Sequence, residues 1–147
     1  MFVIFDLDGT LALCDHRRHH LQKTPKDWDA FYAACDKDVP NLPVLAVMEL
    51  LMADPYCRVE IWSGRRASER EKTLLWFSGV LDGPAPKMVM RPHKDHSPDD
   101  ALKARWLDEH LAAGGPMPSL VFDDRDRMVA MWRARGIVCC QVAPGAF

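Results

Sequence analysis

The chain has 147 residues, of which 48% are hydrophobic and 27% are charged, and its formal net charge is −2. This size and composition indicate one soluble globular domain with its own hydrophobic core. The charge excludes an overall basic field for nucleic acid, although not a local basic surface. No apolar run is long enough to span a membrane, and we expect no signal segment because no basic-then-apolar stretch precedes the first pair of aspartates. The five cysteines are odd in number and lack CxxC spacing, so we expect reduced thiols and a cytoplasmic location.

The first predicted element is a strand of four apolar residues, Phe2 to Phe5, which Asp6 and Asp8 follow directly. A run that is apolar throughout is typical of a strand buried on both faces, as in a parallel sheet. Open α/β sheets bind their ligands at the carboxyl ends of such strands. Two unpaired carboxylates at this end would repel each other, so we expect a cation between them.

The next segment, about residues 12–42, is mixed in character and longer than a plain connection. It begins with polar and basic residues, and Trp28, Phe31 and Tyr32 then indicate a short helix with an aromatic face. We predict that this segment is a minimal cap, or flap, inserted after strand 1 and lying over the two aspartates.

The rest of the chain alternates predicted helices and strands. The helices cover about residues 44–53, 67–78, 98–113 and 126–135, and the strands cover 58–62, 87–90, 119–122 and 137–140. We expect Leu74, Leu75 and Phe77 to form the core face of the second helix, and Ser97 to cap the third. This alternation predicts an α/β fold: a three-layer, Rossmann-like sandwich with a mainly parallel five-stranded sheet, forming one domain over residues 1–147.

Polar side chains follow three of the predicted strands, and parallel strands end at one shared edge of a sheet. They are Asp6 and Asp8 after the first strand, Ser63 and Arg65 after the second, and Asp123 and Asp124 after the fourth. A lysine, Lys103, lies on an intervening helix. Together these residues predict a polar site at the sheet edge, although each alone is a weak signal.

This pattern resembles the haloacid dehalogenase-like (HAD-like) phosphohydrolases, and the resemblance covers essentially the whole chain. A closer likeness is to the 3′-phosphatase domain of T-even phage polynucleotide kinase. It is carried by FDLDGTLA (5–12), WSGR (62–65), DDxxK (99–103), DDRxxxVxMWRxxG (123–136) and CxQVAxGxF (139–147). No GxxxxGK[ST] phosphate loop occurs, so we expect no ATP-dependent kinase activity. If the chain is phage-encoded, the expected location is the host cytoplasm.

The resemblance, together with the chemistry of phosphate esters, implies four catalytic residues. Asp6 would attack phosphorus and form an aspartyl-phosphate. Asp8 would protonate the leaving oxygen and then activate water. Ser63 would hydrogen-bond a phosphoryl oxygen, and Lys103 would offset negative charge.

The resemblance also implies Mg²⁺ as cofactor, bound by Asp6, by the backbone carbonyl of Asp8, and by Asp123 or Asp124. Which of the last two binds the ion and which orients Lys103 stays open. Residues expected to bind substrate are Thr10, Arg17, Gly64, Arg65 and Asp99. The two arginines would grip phosphate or a nucleic-acid strand, and Asp99, four residues before Lys103, would hold that lysine in place.

Three further patterns have alternative interpretations. His16, His19 and His20 have a spacing that permits zinc binding on a helix, but the adjacent arginines favour a solvated or phosphate-facing surface. The tryptophans at 28, 76, 106 and 132 are expected in the core, with base stacking as the alternative for the one on the flap. The arginines and lysine at 17, 18, 65, 66, 70, 91 and 94 are either solvated charge or a basic rim around the acidic centre.

The resulting hypothesis is a Mg²⁺-dependent phosphomonoesterase that removes 3′-phosphate from DNA or RNA ends. The alternative is a HAD-like phosphatase of free nucleotides or other small phosphate esters. A module that only binds phosphorylated ends is disfavoured because both aspartates of the motif are present. The sequence leaves open whether a separate kinase or ligase is a partner, and it also leaves the oligomeric state open.

Overall fold

The computed structural model describes residues 1–145, so Ala146 and Phe147, the last two residues of the C-terminal motif, lie outside the described residues. The strands are β1 (Phe2–Phe5), β2 (Ala12–Leu13), β3 (Val39–Pro40), β4 (Arg58–Arg66), β5 (Lys87–Arg91), β6 (Leu120–Asp123) and β7 (Cys139–Gln141). The helices are α1 (Asp15–Arg18), α2 (Trp28–Ala33), α3 (Leu42–Ala53), α4 (Arg70–Ser78), α5 (Asp99–Ala112) and α6 (Asp126–Ala134). Short 3-10 turns cover His19–Leu21, Cys35–Lys37 and Ala67–Glu69.

The central sheet has the order β5-β4-β1-β6-β7, and every neighbouring pair is parallel. Strand β1 is central and is buried on both faces, as its unbroken apolar sequence predicts. Phe2 and Ile4 point to the face covered by α5 and α6, whereas Val3 and Phe5 point to the face covered by α3 and α4. The structure thus confirms the predicted three-layer α/β sandwich with a five-stranded parallel sheet.

The segment between β1 and α3 folds as α1 and α2 with a small antiparallel pair, β2 and β3. The predicted aromatic helix is α2, whose first turn is capped because Asp27 accepts a hydrogen bond from the Ala30 N–H at 3.0 Å. Phe31 and Tyr32 are buried in this helix, but Trp28, expected in the core, is 41% exposed. Trp28 shares a helix face with Phe31 and Tyr32 and contacts both rings, but it is the first residue of the helix and the core does not cover it fully.

Strand β4 continues to Arg66 and does not end at Trp62 as predicted. Ser63, Gly64 and Arg65 therefore lie within the strand. The register of β4 with β5 shifts between Ser63 and Arg66, which marks a β-bulge. Ile61 pairs with Phe5 of β1, so Ser63, two residues later, lies beside the carboxyl end of β1.

The buried face of α4 differs from the prediction. Phe77 is buried as expected, but Leu74 and Leu75 are 44% and 70% exposed. Thr73 and Trp76 are buried with Phe77 because residues three and four apart share one face of a helix. Within residues 1–145, no helix has both the length and the apolar character needed to cross a membrane.

The N-terminus of α5 also differs from the prediction. Its N-cap residue is Pro98, which makes no side-chain capping hydrogen bond, so the expectation that Ser97 caps the helix is wrong. The Ser97 N–H instead donates to Asp95 Oδ1 at 2.8 Å. Asp99 and Asp100 in the first turn interact favourably with the helix dipole.

Candidate active site

The polar residues predicted from the strand ends meet at the carboxyl edge of the sheet. Asp6 follows β1, and its N–H continues the ladder to the Phe122 carbonyl at 2.9 Å. Asp123 ends β6 on one side of β1, and Ser63 lies in β4 on the other. All three side chains are buried.

Asp6, Asp123 and Asp124 form an acidic cluster in which one carboxylate oxygen from each lies within 4.8 Å of the others. Burial raises the pKa of Asp6 well above its ordinary value, and the neighbouring Asp123 and Asp124 carboxylates raise it further, against the lowering effect of Lys103. Burial, followed by the charge of Asp123, raises the pKa of Asp124 to about 6. The acidic cluster therefore has an excess of negative charge.

Lys103 is buried and donates from Nζ to Asp6 Oδ1 at 2.5 Å and to Asp123 Oδ2 at 3.0 Å. Burial alone disfavours the ammonium form, but the Asp123 and Asp6 carboxylates outweigh it and raise the pKa of the lysine. Of the two aspartates after β6, Asp123 is thus the one that orients Lys103. Trp132 Nε1 also donates to Asp123 Oδ2, at 3.4 Å.

Asp124 has much weaker partners. Thr10 Oγ1 donates to Asp124 Oδ1 at 3.4 Å, and the nearest cation to Oδ2 is Arg18 Nη2 at 3.9 Å. Asp124 Oδ2 is buried and has no hydrogen-bond partner among residues 1–145. The backbone of Gly9, with φ +91°, packs directly against this oxygen. A Cβ at Gly9 would lie 2.1 Å from Asp124 Oδ2, so the close contact requires glycine.

The acidic cluster fits a divalent cation. Its donors are all carboxylate oxygens, which are the ligands that hard ions such as Mg²⁺ prefer. A cation would also supply the missing partner of the buried Asp124 Oδ2. Leaving such a group without a partner is costly.

Asp8, in contrast, is surrounded by positive charge. We call the group formed by Arg17, Arg65, Asp8 and Asp38 the guanidinium cluster. Arg17 Nη2 donates to Asp8 Oδ1 at 2.6 Å, and Arg65 Nη2 donates to the same oxygen. Burial opposes ionisation of Asp8, but the charges of Arg65 and Arg17 outweigh it and hold the pKa of Asp8 below its ordinary value.

Asp38 completes the guanidinium cluster and is fully buried in side chain. It accepts from Arg17 Nε and Nη2, both at 2.6 Å, and from Arg65 Nη2 at 2.8 Å. His16 Nε2 lies 2.9 Å from its Oδ1. Sequence reasoning missed Asp38 because it lies in a polar stretch without a motif, 21 residues from Arg17 and 27 from Arg65.

The structure places Arg17 and Arg65 inside the protein, with 0% and 1% of their area exposed. Arg17 stacks over the Phe31 ring at 4.0 Å, and Arg65 Nη1 donates to Thr73 Oγ1 at 3.0 Å. The contacts of both guanidinium groups therefore fix the direction of the Asp8 carboxylate.

Asp99 accepts hydrogen bonds from Arg91 and Arg125, whereas Lys103 is bound to Asp6 and Asp123. The expectation that Asp99 holds Lys103 is therefore wrong. Asp99 is the first residue of α5, and its partners lie at the end of β5 and just after β6. Lys103, one turn later, extends to the carboxyl edge of the sheet.

Gly64 provides the close approach that this arrangement needs. A Cβ at Gly64 would lie 2.7 Å from Asp99 Oδ1. The Gly64 carbonyl accepts a hydrogen bond from Arg91 Nε at 2.9 Å. Next to it, Ser63 Oγ accepts from the Arg65 N–H at 3.1 Å. The Ser63 hydroxyl hydrogen thus remains available to a phosphoryl oxygen.

The three histidines do not form a metal site in the part of the chain that the structure describes, where the acidic cluster is the one group with suitable spacing. His16 contacts Asp38, and the ring centroids of His19 and His20 lie 3.9 Å apart.

The site combines a buried aspartate beside a lysine and an acidic cluster with a second aspartate, two residues later, that arginines hold. These groups are of the types that can act as a nucleophile, as cation ligands and as an acid-base group. On a Rossmann-like parallel sheet, this combination defines a HAD-like phosphohydrolase. The model of the polynucleotide kinase PNKP phosphatase domain family matches residues 1–147. The chain belongs to this family and is a phosphoric monoester hydrolase.

Solved structures agree with this assignment. The structure of the Pnkp1/Rnl/Hen1 RNA repair complex contains a chain that matches with a TM-score of 0.82 and 29% identity, covering 99% of this chain and 43% of that one. A structure of the Pnkp1/Rnl/Hen1 complex matches with a TM-score of 0.79 and 29% identity, covering 99% of this chain and 46% of that one. The chain thus spans less than half the length of these neighbours.

Proposed function

We propose that this protein is a Mg²⁺-dependent phosphatase that removes 3′-phosphate from nucleic-acid ends through an aspartyl-phosphate on Asp6. The observation that carries the proposal is the contrast between two carboxylates two residues apart. Asp6 lies in the acidic cluster beside Lys103, and Asp8 is fixed by Arg17 and Arg65.

In the first step, Asp6 attacks phosphorus, and the bond from phosphorus to the leaving sugar oxygen breaks. Lys103 holds Asp6 Oδ1 at 2.5 Å, so Oδ2 is the attacking atom. Ser63 donates to a phosphoryl oxygen, and the ammonium of Lys103 offsets charge that develops beside it.

Asp8 supplies the proton that the leaving oxygen takes. In the free protein the guanidinium cluster keeps Asp8 ionised, but a phosphate dianion nearby raises a carboxyl pKa and favours the protonated form. After the first step, Asp8 is the base that takes a proton from water. That water attacks phosphorus, phosphate leaves, and Asp6 is regenerated.

We assign Asp6, Asp124 and the Asp8 backbone carbonyl as the residues that would hold Mg²⁺, which when bound neutralises phosphate charge. Asp123 is assigned to orient Lys103, because Lys103 Nζ lies 3.0 Å from Asp123 Oδ2. Asp124 Oδ2, which has no hydrogen-bond partner among residues 1–145, supports this division.

We also propose that residues 1–147 form one HAD-like domain with residues 12–42 as its flap. Arg17 and Asp38 from this segment are part of the site, which supports the assignment. The five cysteines carry no disulfide, which fits the predicted cytoplasmic location.

The nucleic-acid substrate is proposed from the family and from the neighbours, which are found in an RNA repair complex. The role is end repair before ligation, with a separate kinase or ligase as partner. In this role, Thr10, Gly64 and Asp99 shape the substrate-binding edge, and Arg17 and Arg65 act on the phosphate through Asp8.

The experiment compares phosphate release from a 3′-phosphorylated oligonucleotide, a 3′-mononucleotide and an aryl phosphate, with Mg²⁺ or with EDTA. We expect the oligonucleotide to have the highest kcat/KM and EDTA to abolish release. Equal turnover of all three would favour a phosphatase of small esters. Binding of phosphorylated ends in Mg²⁺ without any release would leave only a binding module.

A further inference from the structure

Trp28 is an exposed aromatic side chain next to the site. Its area is 41% exposed, whereas the tryptophans at 62, 76, 106 and 132 are all buried. An indole that the core does not use is available to an aromatic ligand.

Contacts within the protein fix the orientation of the Trp28 ring. It stacks on Tyr32 with a centroid distance of 5.9 Å and an interplanar angle of 24°, and it meets Phe31 edge-on at 6.0 Å. Phe31 and Tyr32 are buried. The ring is therefore preorganised, which lowers the entropic cost of binding a flat ligand.

Two contacts connect this ring to the active site. The Tyr32 hydroxyl donates to the Gly64 carbonyl at 3.3 Å, directly beside Ser63. On the other side, Phe31 lies under Arg17, which binds Asp8. One layer of aromatic rings thus separates Trp28 from the guanidinium cluster.

A cation lies near each of the two stacked rings. Lys26 Nζ lies 5.8 Å from the Trp28 ring, and the Arg66 guanidinium lies 5.1 Å from the Tyr32 ring. Carboxylates are also present, since Arg66 pairs with Asp29 at 2.5 Å. An exposed aromatic face flanked by lysine and arginine is the combination with which proteins bind single-stranded nucleic acid.

We propose that Trp28 stacks on a base within the last two nucleotides of the substrate strand while its 3′-phosphate lies at Asp6. This inference rests on the proposed function and adds to it. It assigns a base-recognition surface to Trp28 and requires at least one unpaired terminal base. Because every base has a flat face, the contact gives preference for an oligonucleotide end over small esters without sequence specificity.

The experiment measures binding rather than turnover, so that it does not depend on hydrolysis. Fluorescence anisotropy of a dye-labelled, 3′-phosphorylated single-stranded DNA is compared for Asp6→Asn and for Asp6→Asn with Trp28→Ala. We expect Trp28→Ala to raise Kd about fivefold to a hundredfold, and Trp28→Phe to restore most of the affinity.

The matched control variant is Tyr56→Ala. Tyr56 is an aromatic residue with 86% exposure, in the α3–β4 connection at the opposite edge of the sheet, and its removal should leave Kd unchanged. A second control removes the last two bases of the oligonucleotide. Binding to the Asp6→Asn parent should weaken by the same factor, and Trp28→Ala should then have no further effect.

An unchanged Kd in Trp28→Ala would overturn the inference, as would an equal loss on the abasic oligonucleotide, which would indicate a structural role. If these binding results hold but wild-type protein releases no phosphate from the oligonucleotide, the base contact stands and the proposed phosphatase function fails.

Discussion

The acidic cluster and the guanidinium cluster are neighbours, and each contains one aspartate of the same short motif, yet their charge balance differs. In the acidic cluster, three carboxylates face the ammonium of Lys103 and, at 3.9 Å from Asp124 Oδ2, the guanidinium of Arg18. In the guanidinium cluster, two carboxylates face two arginines. The pKa of Asp6 is accordingly raised and that of Asp8 is lowered.

In the proposed mechanism, this difference lets the two aspartates of one motif have two functions. The acidic cluster is incomplete without a further positive charge, so it can take up a cation and a phosphate dianion together. The guanidinium cluster is already neutralised, so its contacts hold Asp8 in one position. The parallel sheet supplies most of the first cluster, and the segment after β1 supplies Arg17 and Asp38 of the second.

The largest effect is expected for Asp6→Asn, which removes the proposed nucleophile. We expect kcat for a 3′-phosphorylated oligonucleotide to fall about 10⁴-fold or more. Phosphate release is the measurement. Asp82→Asn, an exposed residue before β5 at the other edge of the sheet, is the matched control. Full activity in Asp6→Asn would mean that another residue attacks phosphorus.

The effect of Asp8→Asn should depend on the leaving group of the substrate, whereas the loss of Asp6 should affect all substrates. For the oligonucleotide, whose alkoxide leaving group needs a proton, we expect release of the leaving group in the first turnover to slow about 10²–10⁴-fold. For an aryl phosphate, whose phenolate leaves without a proton, the same measurement should show a much smaller loss. Equal losses on both substrates would show that Asp8 is not the acid.

Asp38→Asn tests whether the guanidinium cluster is held by its fully buried ion pairs. Removing one partner of such a network should lower the free energy of unfolding by about 3–5 kcal/mol, because two buried guanidinium groups lose a counter-charge. Urea denaturation measures this. The control is Asp29→Asn, whose ion pair with Arg66 is exposed and should contribute about 1 kcal/mol or less. Similar values for both would refute the proposed role of Asp38.

The smallest effect is the stabilisation of the folded protein by Mg²⁺. At a concentration one hundred times its Kd, a ligand adds about 2.7 kcal/mol to the free energy of unfolding. Thermal and urea unfolding should show this gain in wild type and Asp82→Asn and a much smaller one in Asp124→Asn. An equal gain in Asp124→Asn would place the ion elsewhere.

The gain from Mg²⁺ should also depend on pH. Burial raises the pKa of Asp124 to about 6 in the folded protein, from an ordinary 3.8, so its contribution to stability without metal is lost as the pH rises through 6. Mg²⁺ binds the ionised form, so protons compete with it below that pH. We expect the gain to shrink as the pH falls, by up to about 1.4 kcal/mol per pH unit for each ligand carboxylate that is protonated, and the raised pKa of Asp6 adds to the loss caused by Asp124. A gain independent of pH between 5 and 8 would argue against Asp124 as a ligand.

The sheet and the acidic cluster could be predicted because their signals are local. An apolar strand followed by a carboxylate determines both the strand and the edge at which the side chain lies, as for Asp6 and Asp123. Asp38 could not be predicted, because its role depends on how the segment after β1 folds back onto β4. Its neighbours in sequence carry no periodic or motif signal.

The structure also differs from the predictions at positions where a local sequence pattern suggested a contact or a buried face. Leu74 and Leu75 are apolar, but Thr73, Trp76 and Phe77 form the buried face of α4. Asp99 lies four residues from Lys103, which permits a helical ion pair, but Arg91 and Arg125 from other elements bind it instead. Tertiary contacts outweighed spacing in both cases.

The most direct test of the account is to trap the covalent intermediate. Asp8→Asn is mixed with an aryl phosphate and quenched in acid, and its peptides are examined by mass spectrometry. The phenolate departs without an acid, whereas hydrolysis stalls without a base, so a phosphoryl group should accumulate on Asp6 and be absent in the Asp6→Asn, Asp8→Asn double variant. Release of the phenolate with no phosphoryl group on the protein, or with one on another residue, would contradict the assignment of the two aspartates.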